Sequence, residues 1–468
     1  MKIALIRPRV QFSRCVRRIP LSYIHLAAYL RENGHEPFLF DMVLNHVNQE
    51  DVDRQIRQHQ IKVAGIGCMT FEFPESLKEA ERLKAAHPGI TIIFGGAHPS
   101  GAPAECLESG IADYVVVGEG EIALTQLLEN LHSGKGNEAV QGVWRKEGDT
   151  IVPSQPAPAP DVNLLPIPAY DLLDLEAYFK IDSPWYFTNS RRAVQFISSR
   201  GCPYGCSYCH SVHGKRFRGQ TPSKVLDQME NLSRNFGIEE FIFVDDVFNF
   251  DLERAKGICR EILSRNLKVH LQFPNGVRGD RFDEELIAMM KKAGTHFMAV
   301  AIETVSPKFQ RLIGKNLNIK KAMQTLQWAR QHKIEVSGYF MIGFPGETVE
   351  EVKATVDFAV KAPFNAIFIS FVAPFKGTAL RDDMMRGRFR NEESKGIREL
   401  NDRIPIVHSE TLTPDVLRHF QLNAYWRFYT KPRAIKTLVK RLAYPRNMRK
   451  VLRAVVGRIN KKEQVSVN

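Results

Sequence analysis

Residues 198–211, SSRGCPYGCSYCHS, place Cys202, Cys206 and Cys209 as C-x3-C-x2-C on one tight turn. A structural zinc site closes its shell with four protein ligands, and an ordinary ferredoxin cluster takes four thiolates. Three thiols can instead ligate three irons of a four-iron–four-sulfur cluster and leave the fourth iron open to a small chelating molecule. The competing reading is zinc with His210 as the fourth ligand. It fits poorly, because His210 directly follows Cys209 and could hardly reach round to the same metal.

Outward from this turn the chain alternates strand and helix. Strands are expected at 194–198, 241–244, 269–273, 297–302, 335–342 and 366–372, with helices at 222–235, 252–265, 284–293, 320–333 and 349–361 between them. This gives six βα-type units, and polar residues gather where the strands end: Asp245 and Asp246, Glu303, and Gly343 after Ile342. Functional groups collect at the carboxyl ends of the strands in such barrels. Helix N-caps are the other common use of acids after strands, so Asp245, Asp246 and Glu303 carry both readings. Arg278 either holds a carboxylate or lies at the surface.

Ahead of the barrel, strands at 2–6, 38–40, 63–67, 90–94 and 114–117 alternate with helices at 20–33, 74–86 and about 104–108. That order predicts a parallel sheet with helices on both faces. Loops rich in glycine and polar residues follow three strands, at Gly67 to Thr70, Gly95-Gly96 through His98 to Ser100, and Gly118-Glu119-Gly120-Glu121. Ligands bind in that crevice beyond the strand ends. The first strand leads into Arg7-Pro8-Arg9 with no G-x-G-x-x-G, which argues against a nicotinamide cofactor, and no phosphate-binding P-loop appears.

The cysteine spacing, with Tyr208 just before the last thiol, resembles the radical S-adenosylmethionine (radical SAM) enzymes. The ordered set IRPRV, PLSYIHLAAYLRENGHEPFLFD, GIGCMTFEFPESLKEA, FGGAHPSGAPAE and DYVVVGEGE is similar to the cobalamin-binding domain that precedes the barrel in one large subfamily. The resemblance implies an α/β chain: a Rossmann-like cobalamin-binding domain (1–145), a proline-rich linker (146–190), a partial (β/α)6 radical SAM barrel (191–405) and a basic helical extension (406–468). It implies one 4Fe-4S cluster on Cys202, Cys206 and Cys209, and reductive cleavage of S-adenosylmethionine to a 5′-deoxyadenosyl radical. It assigns Asp245 and Asp246 to the methionine ammonium, and Glu303 to the nucleoside side. Ile342, Gly343 and Tyr208 go to the adenine, with main-chain groups of 342–343 reading the base edge. Thr70, Gly95, Gly96, His98, Gly118, Glu119 and Gly120 fall to cobalamin. The D-x-H-x-x-G run that supplies a cobalt-ligating histidine elsewhere is missing, so His98 is read as a surface or loop hydrogen-bonding residue rather than a ligand. Methylthiotransferases carry a second cluster on three N-terminal cysteines. Cys15, Cys68 and Cys106 lack that family's local sequences and are read as unrelated thiols. The expected reaction is methyl transfer to an unactivated carbon, with a cyclase or rearrangement enzyme, or a methylthiotransferase-like enzyme, as alternatives. A cobalamin sensor without turnover would need no cluster.

Composition sets the remaining bounds. The 468 residues exceed one ordinary core, and 44% hydrophobic with 25% charged residues describe a globular chain. No run of about 18 apolar residues suits a membrane span. Thiolates need a reducing compartment, so the cytoplasm is expected. Six prolines between Pro153 and Pro168 make a stiff connector. A helix should start near Thr413-Pro414 with an apolar side of Leu417, Phe420, Leu422, Ala424, Tyr425 and Phe428. Between Lys431 and Lys462 stand twelve Lys or Arg and no acid, and residues 448–459 have the pattern of a basic amphipathic helix. Peripheral contact at the inner membrane face and packing on the barrel stand level as its roles, with nucleic acid ranked lower. Expected partners are a small-molecule or lipid substrate and an electron donor such as flavodoxin or ferredoxin.

Overall fold

The computed structural model describes residues 1–9, 18–44, 46–135, 138–181, 188–210, 212–386, 405, 407 and 409–442. Cys15 and the expected helix at 448–459 lie outside them. The N-terminal domain runs β1 (Lys2–Arg7), α1 (Leu21–Glu32), β2 (Glu36–Asp41), α2 (Gln49–His59), β3 (Val63–Gly67), α3 (Phe73–Ala86), β4 (Thr91–Gly95), α4 (Ala97–Gly101), α5 (Pro103–Glu108), β5 (Tyr114–Val116), α6 (Gly120–His132), β6 (Val143–Glu147) and β7 (Thr150–Val152). The strands are short apolar runs covered on both faces, the signature of a parallel sheet. Their order is β2-β1-β3-β4-β5-β6-β7, with the first five parallel and the last two antiparallel. The chain reverses direction across the sheet between β1 and β3, which makes the topological switch point there. Tyr23 of α1 fills that spot: its hydroxyl accepts from Gly67 N (2.7 Å) and lies 2.9 Å from the Ile6 carbonyl.

Three features differ from the sequence reading. The helix α2 was not expected, because Val52 and Ile56 are its only buried apolar residues; its start is marked by a capping box between Asn48 and Asp51. Residues 97–101, read as loop, form the short helix α4. The sheet also continues past residue 145, since β6 and β7 pair as a hairpin. The proline-rich stretch then follows the barrel surface. Barrel cations bond carbonyls along this stretch: Arg218 reaches Pro160 O (2.9 Å), and Lys224 reaches Asn163 O (2.6 Å) and Leu165 O (2.5 Å).

After α7 (Leu175–Lys180) the second sheet comprises β8 (Ala193–Phe196), β11 (Glu240–Phe243), β12 (His270–Val277), β13 (Thr295–Glu303), β14 (Glu335–Ile342) and β15 (Ala366–Phe371). All six neighbour in sequence order and run parallel, as a partial (β/α)6 barrel requires. A two-residue hairpin, β9 (Ser199–Arg200) with β10 (Arg218–Gly219), brackets the cysteine turn. The covering helices are α8 (Pro222–Phe236), α9 (Leu252–Ser264), α10 (Glu284–Lys292), α11 (Pro307–Leu312), α12 (Ile319–Gln331), α13 (Val349–Lys361) and α14 (Ala379–Met385). In the extension, α15 (Pro414–Tyr429) starts on a Thr413 cap with Pro414 in its first turn, and α16 (Pro432–Leu442) follows. Leu417, Ala424 and Phe428 are buried in the barrel core, and Phe420 and Tyr425 pack against it. Leu422, expected on that inner side, is instead 65% exposed.

Candidate functional site

The cysteine turn is built by backbone geometry before any cofactor is considered. Gly201 has φ +83°, and a Cβ there would stand 2.1 Å from Arg216 O, so only glycine allows the hairpin to close over the turn. Cys202 N bonds Gly214 O (3.2 Å), and Ser207 N bonds Ile313 O (2.9 Å), which ties the turn to the segment after α11. Cys202 and Cys206 are half-buried and Cys209 is exposed. The surrounding protein still desolvates the Cys209 thiol, and together with the charge of Cys206 and Cys202 pushes its pKa up to about 11. Ligation must therefore displace protons from thiols that crowd one another.

Three thiols on one turn are a donor set that can hold three irons of a four-iron–four-sulfur cluster. Space is open at the turn as well, since a Cβ at Gly205 would meet nothing within 4 Å.

The acids around the turn do not cap helices. The cap of α9 is Asp251 and that of α11 is Ser306. Asp245, fully buried, accepts from Ser198 Oγ (2.8 Å), Ser198 N (3.2 Å) and Ser199 Oγ through Oδ1. Its Oδ2 is buried with no hydrogen-bond partner, and burial raises its pKa despite nearby Arg254. Asp246 is exposed and accepts from Gly201 N (2.8 Å) and His213 Nδ1 (2.8 Å), both through Oδ2. The structure thus places both acids as struts beneath the cysteine turn, and Asp245 keeps a buried oxygen without a partner.

Glu303 ends β13 at φ +65°, a left-handed conformation that costs a side-chain-bearing residue on the order of 1–3 kcal/mol. Two contacts offset it: Tyr208 OH donates to Oε1 (3.1 Å) and Lys315 Nζ pairs with the same oxygen (2.9 Å). A hydrogen bond to a charged group contributes about 1.5–3 kcal/mol, so the pair outweighs the strain. The Tyr208 ring packs edge-on against Phe344. Tyr208, Glu303 and the segment after β14 therefore meet. Lys315 joins them without any sequence signal.

Gly343 departs from expectation. Its N–H and that of Phe344 both donate to Glu347 Oε2 (2.7 and 3.0 Å), and Ile342 O accepts from Val372 N (3.1 Å). Those main-chain groups are committed within the protein rather than free to read a base edge. Glu347 is itself buried; desolvation, then Glu351, raise its pKa to about 7 against the two N–H donors. Arg278, read as a carboxylate holder or a surface group, is buried. It bonds Asp280 (2.8 Å) and lies over the Tyr204 ring of the cysteine turn, 3.7 Å from its centroid.

The N-terminal loops face this turn. Glu119, assigned to cobalamin, has its carboxylate taken by Arg218 and by Arg200 (2.7 Å), while Glu121 pairs with Arg200 (2.6 Å). Burial presses the Glu121 carboxyl upward, but Arg200 outweighs it and holds the pKa low. Gly96 is needed for close packing, since its Cβ would stand 3.0 Å from Cys68 O; Gly95 closes β4, and Thr70 opens a short 3-10 turn. Gly118 N bonds Ser100 Oγ (2.9 Å), and a Cβ on Gly120 would meet Leu26 at 3.0 Å. Cys68 and Cys106 are buried thiols whose pKa burial raises.

His98 is neither at the surface nor hydrogen-bonded in a loop. It is buried in α4, stacked on Phe73 (centroids 4.2 Å apart), and burial lowers its pKa to about 4. His98 Nε2 lies 3.5 Å from Glu105, and the His210 ring lies against the backbone of Ala97 at the start of α4. A Cβ on Gly101 of α4 would stand 3.1 Å from His210 Nε2 and 2.6 Å from Lys376 O. Lys376 in turn pairs with Glu105 (2.5 Å). Two imidazoles thus lie at the seam between the N-terminal loops and the cysteine turn.

The comparisons agree with this architecture. The family model for the radical SAM superfamily matches residues 196–359, and that for the B12 binding domain matches residues 18–128. An uncharacterised methyltransferase of Pyrococcus horikoshii is 27% identical over 93% of this chain and 94% of its own length. The cytidylyl-2-hydroxyethylphosphonate methyltransferase of Streptomyces wedmorensis is 26% identical over 84% of this chain and 83% of its own. Among solved structures, the radical S-adenosylmethionine methyltransferase TsrM from Kitasatospora setae, with tryptophan substrate and a SAM analog bound, superposes with TM-score 0.67. That match has 20% identity and covers 84% of this chain and 78% of TsrM, which shows a shared fold. A barrel with three cysteines on one turn, behind a B12 binding domain, places this chain among the radical SAM enzymes that carry an N-terminal cobalamin-binding domain.

Proposed function

We propose that the protein is a cobalamin-dependent radical SAM methyltransferase acting on an unactivated carbon of a small-molecule or lipid substrate. The observation that carries the reading is the seam where His210, next to the last cysteine, lies against α4 of the N-terminal domain. Methyl transfer between two cofactors needs both to open on one space, and this seam is where the two sheets' carboxyl edges meet. When bound, the cluster on Cys202, Cys206 and Cys209 supplies the electron that cleaves S-adenosylmethionine, and cobalamin supplies the methyl group.

The protein's own residues have separate tasks in this reading. Asp246 and Asp245 hold the turn at the end of β11, and the unused Oδ2 of Asp245 is an acceptor for a cation. Glu303, paired with Lys315, fixes Tyr208 beside the last cysteine. His98 and His210 bring two imidazole rings to the seam that the corrin would share. The partners are an electron donor such as flavodoxin or ferredoxin, and a membrane surface reached through the basic C-terminal residues.

The test is anaerobic reconstitution followed by iron, sulfide and corrin analysis, then turnover with methyl-deuterated S-adenosylmethionine. About four irons per chain, a bound corrin and a deuterated methyl group in the product are expected. Cys202→Ala, Cys206→Ala and Cys209→Ala should each abolish S-adenosylmethionine cleavage. Cys68→Ala and Cys106→Ala should leave iron content unchanged. A cyclised product without label would move the reading to the cyclase, and loss of iron on replacing Cys68 or Cys106 would move it to a methylthiotransferase-like enzyme.

A further inference from the structure

From Val416 to Lys462 the chain holds fourteen Lys or Arg and not one Asp or Glu. Part of this stretch forms α15 and α16, and their outer face is apolar. Leu422 (65% exposed) and Trp426 (71%) stand four residues apart on α15, and Ile435 (46%) and Val439 (58%) four apart on α16. Residues at that spacing share one face of a helix. Large apolar side chains at such exposure normally mark a surface that is covered in use. Among the described residues no helix is long and apolar enough to cross a membrane.

A pocket of about 250 Å³ opens between α16, the end of α12 and the start of β14. Arg330, Lys333, Arg433 and Lys436 line it, against the single acid Glu335. Among the described residues, Arg330, Lys333 and Lys436 pair with no carboxylate. Arg433 donates to the Pro363 carbonyl, and burial followed by the charge of Arg330 lowers its pKa. Four cations around one cavity repel each other unless an anion joins them.

We propose that the outer face of α15 and α16 docks the protein on an anionic lipid surface, with headgroup phosphates received in the pocket of Arg330, Lys333, Arg433 and Lys436. The apolar stripe enters the headgroup layer, where Trp426 has the amphipathic ring suited to that depth. The cations meet the phosphates, and the acid-free stretch removes the repulsion a carboxylate would add. A protein partner would need an acidic face of matching shape; a lipid leaflet provides charge and apolar depth together. This inference rests on the membrane contact proposed above and is independent of methyl transfer.

The experiment is co-sedimentation of the full chain with phosphatidylglycerol–phosphatidylcholine vesicles and with phosphatidylcholine vesicles, across a salt series. Binding to the anionic vesicles alone, weakening with salt, is expected. Leu422→Ser with Trp426→Ser should weaken it at least tenfold while iron content stays unchanged. Arg330→Gln with Lys333→Gln should weaken it about fivefold per charge and flatten the salt dependence. A chain lacking 443–468 should bind more weakly yet still respond to both pairs of substitutions. Binding that vanishes with 443–468 and ignores both pairs would assign docking to the tail alone and overturn the inference. So would thermal stabilisation by inorganic phosphate that depends on Arg330 and Lys333 while vesicle binding does not.

Discussion

Glu303 shows how one residue's backbone is held by its side chain. Its left-handed φ persists because Lys315 and Tyr208 both grip the carboxylate. Lys315→Met should leave that carboxylate buried and half-satisfied, lowering stability by about 3 kcal/mol in urea unfolding, whereas Lys315→Arg keeps the charge and most of the stability. Glu347 poses the opposite case, a carboxyl whose pKa burial raises to about 7. A raised folded pKa means the native state binds the extra proton. Its contribution is full below the ordinary carboxyl range and is lost as pH rises through about 7. Unfolding measured across that window should show a loss on the order of 3 kcal/mol, absent in Glu347→Gln, whose amide oxygen still accepts from Gly343 and Phe344. The cysteine turn was legible in the sequence because its chemistry is local, three thiols within eight residues. Lys315 and Glu347 were not. What makes them matter is burial and a partner brought by the fold, and neither leaves a pattern in the chain.

At the scale of elements, the hairpin of β9 and β10 is clamped to the start of α6 by Arg200 between Glu119 and Glu121. Glu121 has a depressed pKa, so its share of stability is present above the ordinary carboxyl range and lost as pH falls through the depressed value. Arg200→Met would strand the buried Glu121 carboxylate and leave Glu119 to Arg218 alone. It should cost about 3–5 kcal/mol near neutral pH and reverse the sign, so that the variant gains stability on acidification. Chemical denaturation of both proteins over the acid range checks this. The six barrel strands could be read from apolar runs that stop at acids or glycines. The sequence of α4 could not, because Gly-Gly-Ala-His-Pro carries the residues of a turn. Its helix exists because the His98 ring packs on Phe73. Leu422 failed for a related reason: periodicity gave an apolar side wider than the barrel surface available to cover it.

For the whole molecule, domain order was readable from the order of motifs, but how the domains meet was not. That depends on pairs far apart in sequence, such as Glu105 with Lys376 and Ile19 N with Gln195. Gly101 and Gly377 touch backbone to backbone, since a Cβ on Gly377 would lie 2.6 Å from Gly101 Cα. Gly101→Ala should lower the melting temperature, by about 1–3 kcal/mol of stability, and make the 153–168 connector easier to cleave by protease. Unchanged melting and cleavage would mean that the seam yields without strain. A contact between two bare backbones has no side chain to compress or rotate aside. It therefore acts as a gauge block, fixing how closely the two sheets can approach and hence the clearance above the cysteine turn. A single methyl group at position 101 would reset that clearance with no change to the cysteine turn itself.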